Sequence, residues 1–358
     1  MKLSRPRPVM LVWAGVLLVV LGVIALSPLD GQRILREAVR TATGGNAAVY
    51  ALAAIGLNIH FGYTGLLNFG HVGFMLVGAY GLAITVSTLG APLWAGVLVG
   101  LAASLVLALL LGGPTLRLRA DYLAIVTIAG AEILRHVTRS GPATDVTGGV
   151  FGLTGYARGF DRINPLPGGR YGFWVVDYSA RQLWPVLVGW GLVLLASLLV
   201  FMLTRSPWGR VLRGIREDED AVRSIGKNAY SYKMQSLVLG GMLGGIAGMI
   251  WVVQLGSIDP DAFLPMVTFF TYTIVILGGP ATVVGPVVGA VVFWFVVQGF
   301  DTAIREASTS GYVPAFLGGP EAVGALRFLL VGAGLMLLMI YRPEGMFGNR
   351  REMQLDVG

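Results

Sequence analysis

The chain has 358 residues, 55% of them hydrophobic and only 13% charged, with a mean hydropathy of +0.74. Soluble domains carry about 25% charged residues, so an ordinary soluble globular protein is excluded. The formal net charge of +7 would suit a nucleic-acid binder, but in a polytopic protein such an excess marks Lys and Arg retained on cytoplasmic loops, and nucleic acid is set aside as a partner. With no cysteine there is no disulfide framework, no thiolate metal site and no cysteine nucleophile.

In chain order, the basic start MKLSRPRP precedes an 18-residue apolar run at 9–26. That run is longer than the core of a signal peptide and no A-x-A-like site follows, so it reads as a retained first helix. Apolar runs broken by charge, Pro or Gly then give ten candidate spans: 9–26, 47–61, 66–88, 92–111, 122–139, 183–203, 234–254, 264–279, 281–299 and 323–341. With a cytoplasmic N-terminus, the inside segments hold 15 Lys/Arg against 8 outside, which places both termini in the cytoplasm. The expected fold is all-α: a single transmembrane permease domain over 1–358, with an extracytoplasmic loop at 140–182 and a cytoplasmic loop at 204–233. The outer loop could meet a soluble partner or serve as a connector.

Spans 47–61 and 264–279 are short and broken by glycine. Interrupted helices at membrane depth survive only where protein or a water-filled cavity covers the freed backbone groups, so both are candidates for a pathway. The runs at 73–79 (GFMLVGA) and 285–290 (GPVVGA) share a small-residue pattern that suggests an internal duplication. Polar groups inside spans are costly and therefore informative. They include Asn58, His60, Gln254 and Gln298, and, as candidates for the substrate pathway, Asn68, His71, Thr127, Glu132 and Tyr272. Asn68 and His71 fall among Gly65, Gly70 and Gly73, a composition suited to a broken helix. Glu132 could face substrate or pair with Arg135 or His136 at helical spacing.

The loop at 204–233 carries seven basic and four acidic residues. Glu217, Asp218, Glu219 and Asp220 precede Ala221, Val222 and Ile225, and Gly226 follows, the signals of a short capped helix. Its Val222/Ile225 ridge could fit a partner's groove or lie on the membrane surface. In span 234–254, Gly240, Gly244 and Gly248 interleave with Gly241 and Gly245, two small-residue stripes for close helix packing, either within the chain or against a second permease subunit. No Walker-type phosphate loop is present: Gly226-Lys227 is followed by Asn228, and Ala221 stands where the first glycine should be. No nucleophile elbow, H-E-x-x-H motif or carboxylate cluster suggests hydrolysis. No catalytic residue and no metal ligand is assigned.

The stretches GLNIHFGYTGLLNFGHVGFMLVGAY (56–80), RLRADYLAIVTIAGAEILR (117–135), TGGVFGLTG (147–155), RSPWGRVLRGIREDEDAVRSIGKN (205–228) and LGGPATVVGPVVGA (277–290) resemble the LivM-type permease subunit of bacterial branched-chain amino acid ABC importers. The resemblance implies about ten helices in the bacterial inner membrane. It also implies a LivH-type permease partner, two LivG/LivF-type ATPase subunits that carry the ATP and Mg, and an extracytoplasmic substrate-binding protein. No cofactor is expected on this chain. The region from Arg213 and Arg216 through Glu217–Asp220, Val222, Arg223, Ile225 and Gly226 then becomes the segment that couples to an ATPase. A urea or short-chain amide importer of the same family is the alternative. An ion-coupled transporter with Glu132 and His71 as a proton relay is a further one.

Overall fold

A computed structural model describes residues 30–117, 120–173 and 176–309, with shorter stretches between 322 and 336 and at 344–348. The first described element, α1 (Gly31–Thr43), lies between the candidate spans 9–26 and 47–61. Asp30 caps it by accepting from the Arg33 amide at 3.1 Å, and Ile34, Ala38 and Ala42 bury one face at four-residue spacing. That face packs on α11 (Gly285–Thr309), and Arg33 adds an ion pair to Glu306 at 3.0 Å.

The helix α2 (Gly45–Asn58) is buried on every side, Asn46 excepted. It runs into a π-helical turn (Ile59–Tyr63) and then into an irregular stretch, 64–70, before α3 (His71–Ser87) begins. The span read as 66–88 is therefore a shorter helix whose first five residues are non-helical. Next come α4 (Leu93–Thr115) and α5 (Ala120–Arg139). The long loop that follows is not free chain. Its strand β1 (Leu153–Thr154) pairs antiparallel with β4 (Ser257–Ile258), and β2 (Arg170–Phe173) forms a hairpin with β3 (Val176–Ser179). Tyr156, fully buried, pins the loop by donating its hydroxyl to the Val252 carbonyl at 3.0 Å.

Ser179 and Gln182 form a reciprocal capping box that opens α6 (Ala180–Arg205). Two short polar helices follow, α7 (Pro207–Glu217) and α8 (Glu219–Ser224), and then α9 (Ala229–Leu255), α10 (Met266–Gly278) and α11. Among the described residues, four helices are long and apolar enough to cross a bilayer: α4, α6, α9 and Gly285–Ser308 of α11. With few strands beside them, they make this an integral-membrane helical bundle. The expected span 9–26 lies outside the described residues, and 323–341 is described only in pieces.

The helix α9 is the axis of the bundle, with α2, α3 and α4 packed around it. Its glycines allow this. A Cβ at Gly240 would strike the His60 ring and the Gly56 carbonyl, one at Gly241 the Phe74 ring, and one at Gly244 the His71 ring. A Cβ at Gly245 would strike the Ser104 hydroxyl, and one at Gly248 the Met75 carbonyl. All five glycines are thus occupied by this chain's own helices, at backbone separations that a side chain would forbid. No glycine face is left for a second subunit on this stripe.

Candidate substrate pathway and coupling segment

Contacts along α9 give a depth scale. Thr64 meets Ser236 near one end, His71 meets Gly244 at the middle, and Asn46 meets Gln254 near the other end. Helix α3 therefore starts about halfway along α9, and the irregular stretch 64–70 climbs to that level from the face bearing α7 and α8. Helix α10, with 13 residues, is about 20 Å long and also begins inside the bundle, where the Thr268 hydroxyl accepts from the Val72 amide at 3.0 Å. The two half-length helices thus have their N-termini together at mid-depth.

The polar side chains of this region hold the break in place. His60 Nε2 lies 3.2 Å from the Leu237 carbonyl, which can only accept, so Nε2 carries the proton and Nδ1 accepts from Asn68 Nδ2 at 3.2 Å. Asn68 Oδ1 in turn accepts from the Gly70 amide at 3.0 Å. Thr127 on α5 accepts from the Phe69 amide at 3.1 Å and donates to the Ala124 carbonyl at 3.0 Å. Thr64 and Ser236 share a bond of 2.6 Å against the Ile59 carbonyl. The backbone groups freed by the break are thereby satisfied inside protein, as a low-dielectric setting demands.

Asn58, at the end of α2, closes the second break. It accepts from the Ala281 amide at 2.9 Å and donates to the Thr282 carbonyl at 2.8 Å, holding Ala281 at φ +58°, a conformation that few side chains adopt. The two small-residue runs both lie at the starts of helices that follow such irregular stretches, 73–79 in α3 after 64–70 and 285–290 in α11 after 279–284.

Of the five pathway candidates, three converge. Asn68 and Thr127 grip the 64–70 stretch, and Tyr272 stacks on Phe69 with centroids 4.8 Å apart while Phe61 meets it edge-on at 5.4 Å. The Tyr272 hydroxyl is buried and makes no sound hydrogen bond. His71 packs against Gly244 and the His60 ring that Asn68 bonds, and its ring nitrogens have no side-chain partner among the described residues. Glu132 is elsewhere: five residues beyond Thr127 on α5, it pairs with Arg135 at 2.8 Å and approaches His136 at 3.6 Å. Arg135 also bonds Asp261 at 2.9 Å, and Arg139 joins the same carboxylate at 3.0 Å, which ties α5 to the turn before α10. Glu132 is therefore part of an ion-pair cluster, whereas His71 packs against His60 and Gly244.

In the polar segment, Asp218 caps α8 by accepting from the Asp220 and Ala221 amides, both at 2.9 Å. Gly226 follows at φ +80°, the left-handed stop that glycine takes without cost. The Val222/Ile225 ridge is split. Val222 is buried with Ile215 and Ala229, whereas Ile225, just past the last helical turn, is 73% exposed. Glu219 bridges Lys233 and Arg223, so it fastens α8 to α9, while Asp220 and Glu217 face outward. Arg213 caps the end of α6 through the Thr204 carbonyl at 3.0 Å.

Arg216 turns inward and donates to the Gly62 carbonyl of the π-turn, while Gly65, at φ +76°, lies against its side chain. Sequence reading missed this link, because an arginine in a charged loop gives no sign of which way it points. It also missed Thr268, and it singled out Asn58 as a polar residue in an apolar run without finding the partners through which it locks the second break.

A glycine-packed bundle with two half-length helices meeting at mid-depth, joined by an arginine to an exposed capped helix, defines an integral-membrane protein of the permease class. Residues 42–339 match the family described as branched-chain amino acid transport system / permease component, and the chain belongs to it. It is 30% identical over 327 residues to the high-affinity branched-chain amino acid transport system permease protein LivM of Salmonella typhimurium, covering 87% of this chain and 70% of that protein. It is 26% identical over 340 residues to the probable LivM of Methanocaldococcus jannaschii, covering 84% and 91%. It is also 24% identical over 320 residues to LivH of Escherichia coli, covering 84% and 92%. Similarity to both LivM and LivH indicates a system of several components.

Proposed function

We propose that the chain is a permease subunit of an ATP-driven importer for branched-chain amino acids, set in the bacterial inner membrane with the α7–α8 face in the cytoplasm. It pairs with a LivH-type homologue, receives substrate from an extracytoplasmic binding protein, and is driven by two ATPase subunits that hold the ATP and Mg. The observation that carries this reading is the α7–α8 block. It is rigidly capped, offers the single exposed apolar side chain of Ile225 beside the Asp220 carboxylate, and is joined through Arg216 to the π-turn at the first helix break. Movement of an ATPase groove around Ile225 would be delivered to the Gly62 carbonyl and so to the 64–70 stretch. Aromatic rings of Phe61, Phe69 and Tyr272 line that stretch, which suits passage of an apolar solute without tight retention.

The test is reconstitution. The tagged chain is purified from its native membrane, its partners are identified by mass spectrometry, and ATP-dependent leucine uptake is followed in proteoliposomes with and without Ile225→Asp. Two ATPases, a second permease and uptake abolished by I225D are the expected results. Recovery of the chain alone, with leucine uptake under an ion gradient, would overturn the reading.

A further inference from the structure

A cleft of about 580 Å3 opens at the end of the bundle opposite α7–α8, where α1, the start of α2, the start of α6 and the end of α9 come together. No residue proposed for the pathway or the coupling segment lines it. Its volume falls in the range of small-molecule sites. Three features of its wall are chemical rather than merely concave.

The first is a donor end. Helix α2 begins at Gly45 behind Gly44, with no side-chain cap, so its first-turn amides and the positive end of its dipole face the cleft. Arg40, one turn before the end of α1, stands beside them. It lies over the Tyr178 ring at 5.5 Å and makes no ion pair among the described residues. Tyr178 secures that turn by donating its hydroxyl to the Arg40 carbonyl at 2.9 Å, and burial raises the hydroxyl above the ordinary tyrosine value, so it stays a donor.

The second is an acceptor end. Gln254 lines the cleft with its amide turned onto Gly45, where Oε1 is closed to solvent, so the acceptor is Glu37. Gln254 reaches this position because residue 45 is glycine, where a Cβ would occupy the amide group itself. Glu37, one helical turn from Arg40 on the same face of α1, is also without an ion pair among the described residues. The neighbouring Asp161 and Arg181 neutralise each other at 2.9 Å and leave Glu37 and Arg40 as the open charges.

The third is an apolar wall formed by Pro185, Val186 and Val253. Donors, acceptors and an apolar surface in one small cleft are the complement of an α-amino acid in its zwitterionic form with an aliphatic side chain. We propose that this cleft is an entry site for such an amino acid on the outer face. The carboxylate would lie on the α2 N-terminus and Arg40, the ammonium on Glu37, and the side chain on Val186 and Val253. The assignment of the face and of the solute rests on the importer reading above. The site itself rests on the cleft's own residues.

The experiment uses the assembled complex in nanodiscs without its binding protein, and reads saturation-transfer NMR from L-leucine. Leucinamide, which lacks the carboxylate, and 4-methylpentanoate, which lacks the ammonium, are the comparison probes. Each charge-assisted bond is worth about 1.5–3 kcal/mol, so Arg40→Gln and Glu37→Gln should each weaken leucine binding about tenfold or more. Both probes should bind at least about tenfold more weakly than leucine to the unmodified complex. This last comparison needs no variant and so survives a variant that fails to assemble. Equal binding of leucine and leucinamide, no leucine signal, or leucine binding unchanged by both substitutions would overturn the site. ATP-dependent leucine uptake with the binding protein present is measured on the same preparation. Uptake without cleft binding removes this inference alone, whereas cleft binding without uptake removes the importer reading and leaves the site.

Discussion

Helices α6 and α9 are of nearly equal length and both are apolar enough to span a bilayer, yet 28% of the most apolar stretch of α6 is buried in the protein against 72% of that of α9. Apolar content alone would bury the wrong one, since the mean hydropathy of those stretches is 2.6 for α6 and 1.9 for α9. Glycine separates them: α9 carries five glycines in nine residues where α6 carries Leu194, Leu195, Leu198 and Leu199 facing outward. In lipid, leucine gains nothing by leaving the hydrocarbon, so a helix enters the centre of a bundle by letting backbones touch. The more apolar helix is therefore the one at the periphery, the reverse of the rule for a soluble core.

The sharpest way to break this comparison is Gly248→Leu. The new side chain would fall on the Met75 carbonyl, and since backbone cannot move aside as a side-chain end can, the expected loss is more than about 3 kcal/mol. The assay is unfolding in mixed detergent micelles, and a variant as stable as the parent would show that the α9–α3 contact is not what holds the bundle. A smaller loss follows Asn68→Ala. It leaves His60 Nδ1 and the Gly70 amide without partners in a buried site, at about 1–2 kcal/mol, and should loosen the 64–70 stretch in hydrogen exchange before global stability falls. Asp218→Ala removes the two amide bonds that start α8 and should cost about 1 kcal/mol, confined to exchange of amides 219–224.

These residues differ in how far the sequence declares them. Asp218, Gly226 and the glycine stripes are legible because capping and small-residue packing are local patterns, set by spacing along one helix. The first helix break is legible in outline from Gly65, Gly70 and Gly73, though its apolar neighbours hide where α3 begins. The amphipathic α1 was readable in principle, since Asp30 and the spacing of Ile34, Ala38 and Ala42 are a cap and a face. What the sequence does not declare is pairing at a distance. Asn58 bonds residues 281 and 282, Arg216 bonds Gly62, and Arg135 bonds Asp261, each across more than a hundred positions. Glu132 shows the same limit: its pairing with Arg135 is a local spacing, but only the fold brings a second carboxylate, Asp261, to that arginine.

The smallest expected effect tests the other half of the comparison. Leu198 on α6 is more than half exposed, and in contact with hydrocarbon its truncation to Ala should change stability by less than about 0.5 kcal/mol, since lipid chains replace the lost methyl groups at little cost. The informative readout is assembly. If α6 faces lipid, Leu198→Ala leaves both stability and recovery of the second permease subunit unchanged. If the second subunit packs on α6, stability of the isolated chain is still unchanged but co-purification falls, because a packed leucine at a helix interface makes contacts that lipid does not reproduce. Among the described residues the glycine face of α9 is already filled from within the chain, so the outward leucines of α6 are the surface on which the proposed second subunit is sought, and the pair of measurements distinguishes that surface from one that meets only lipid.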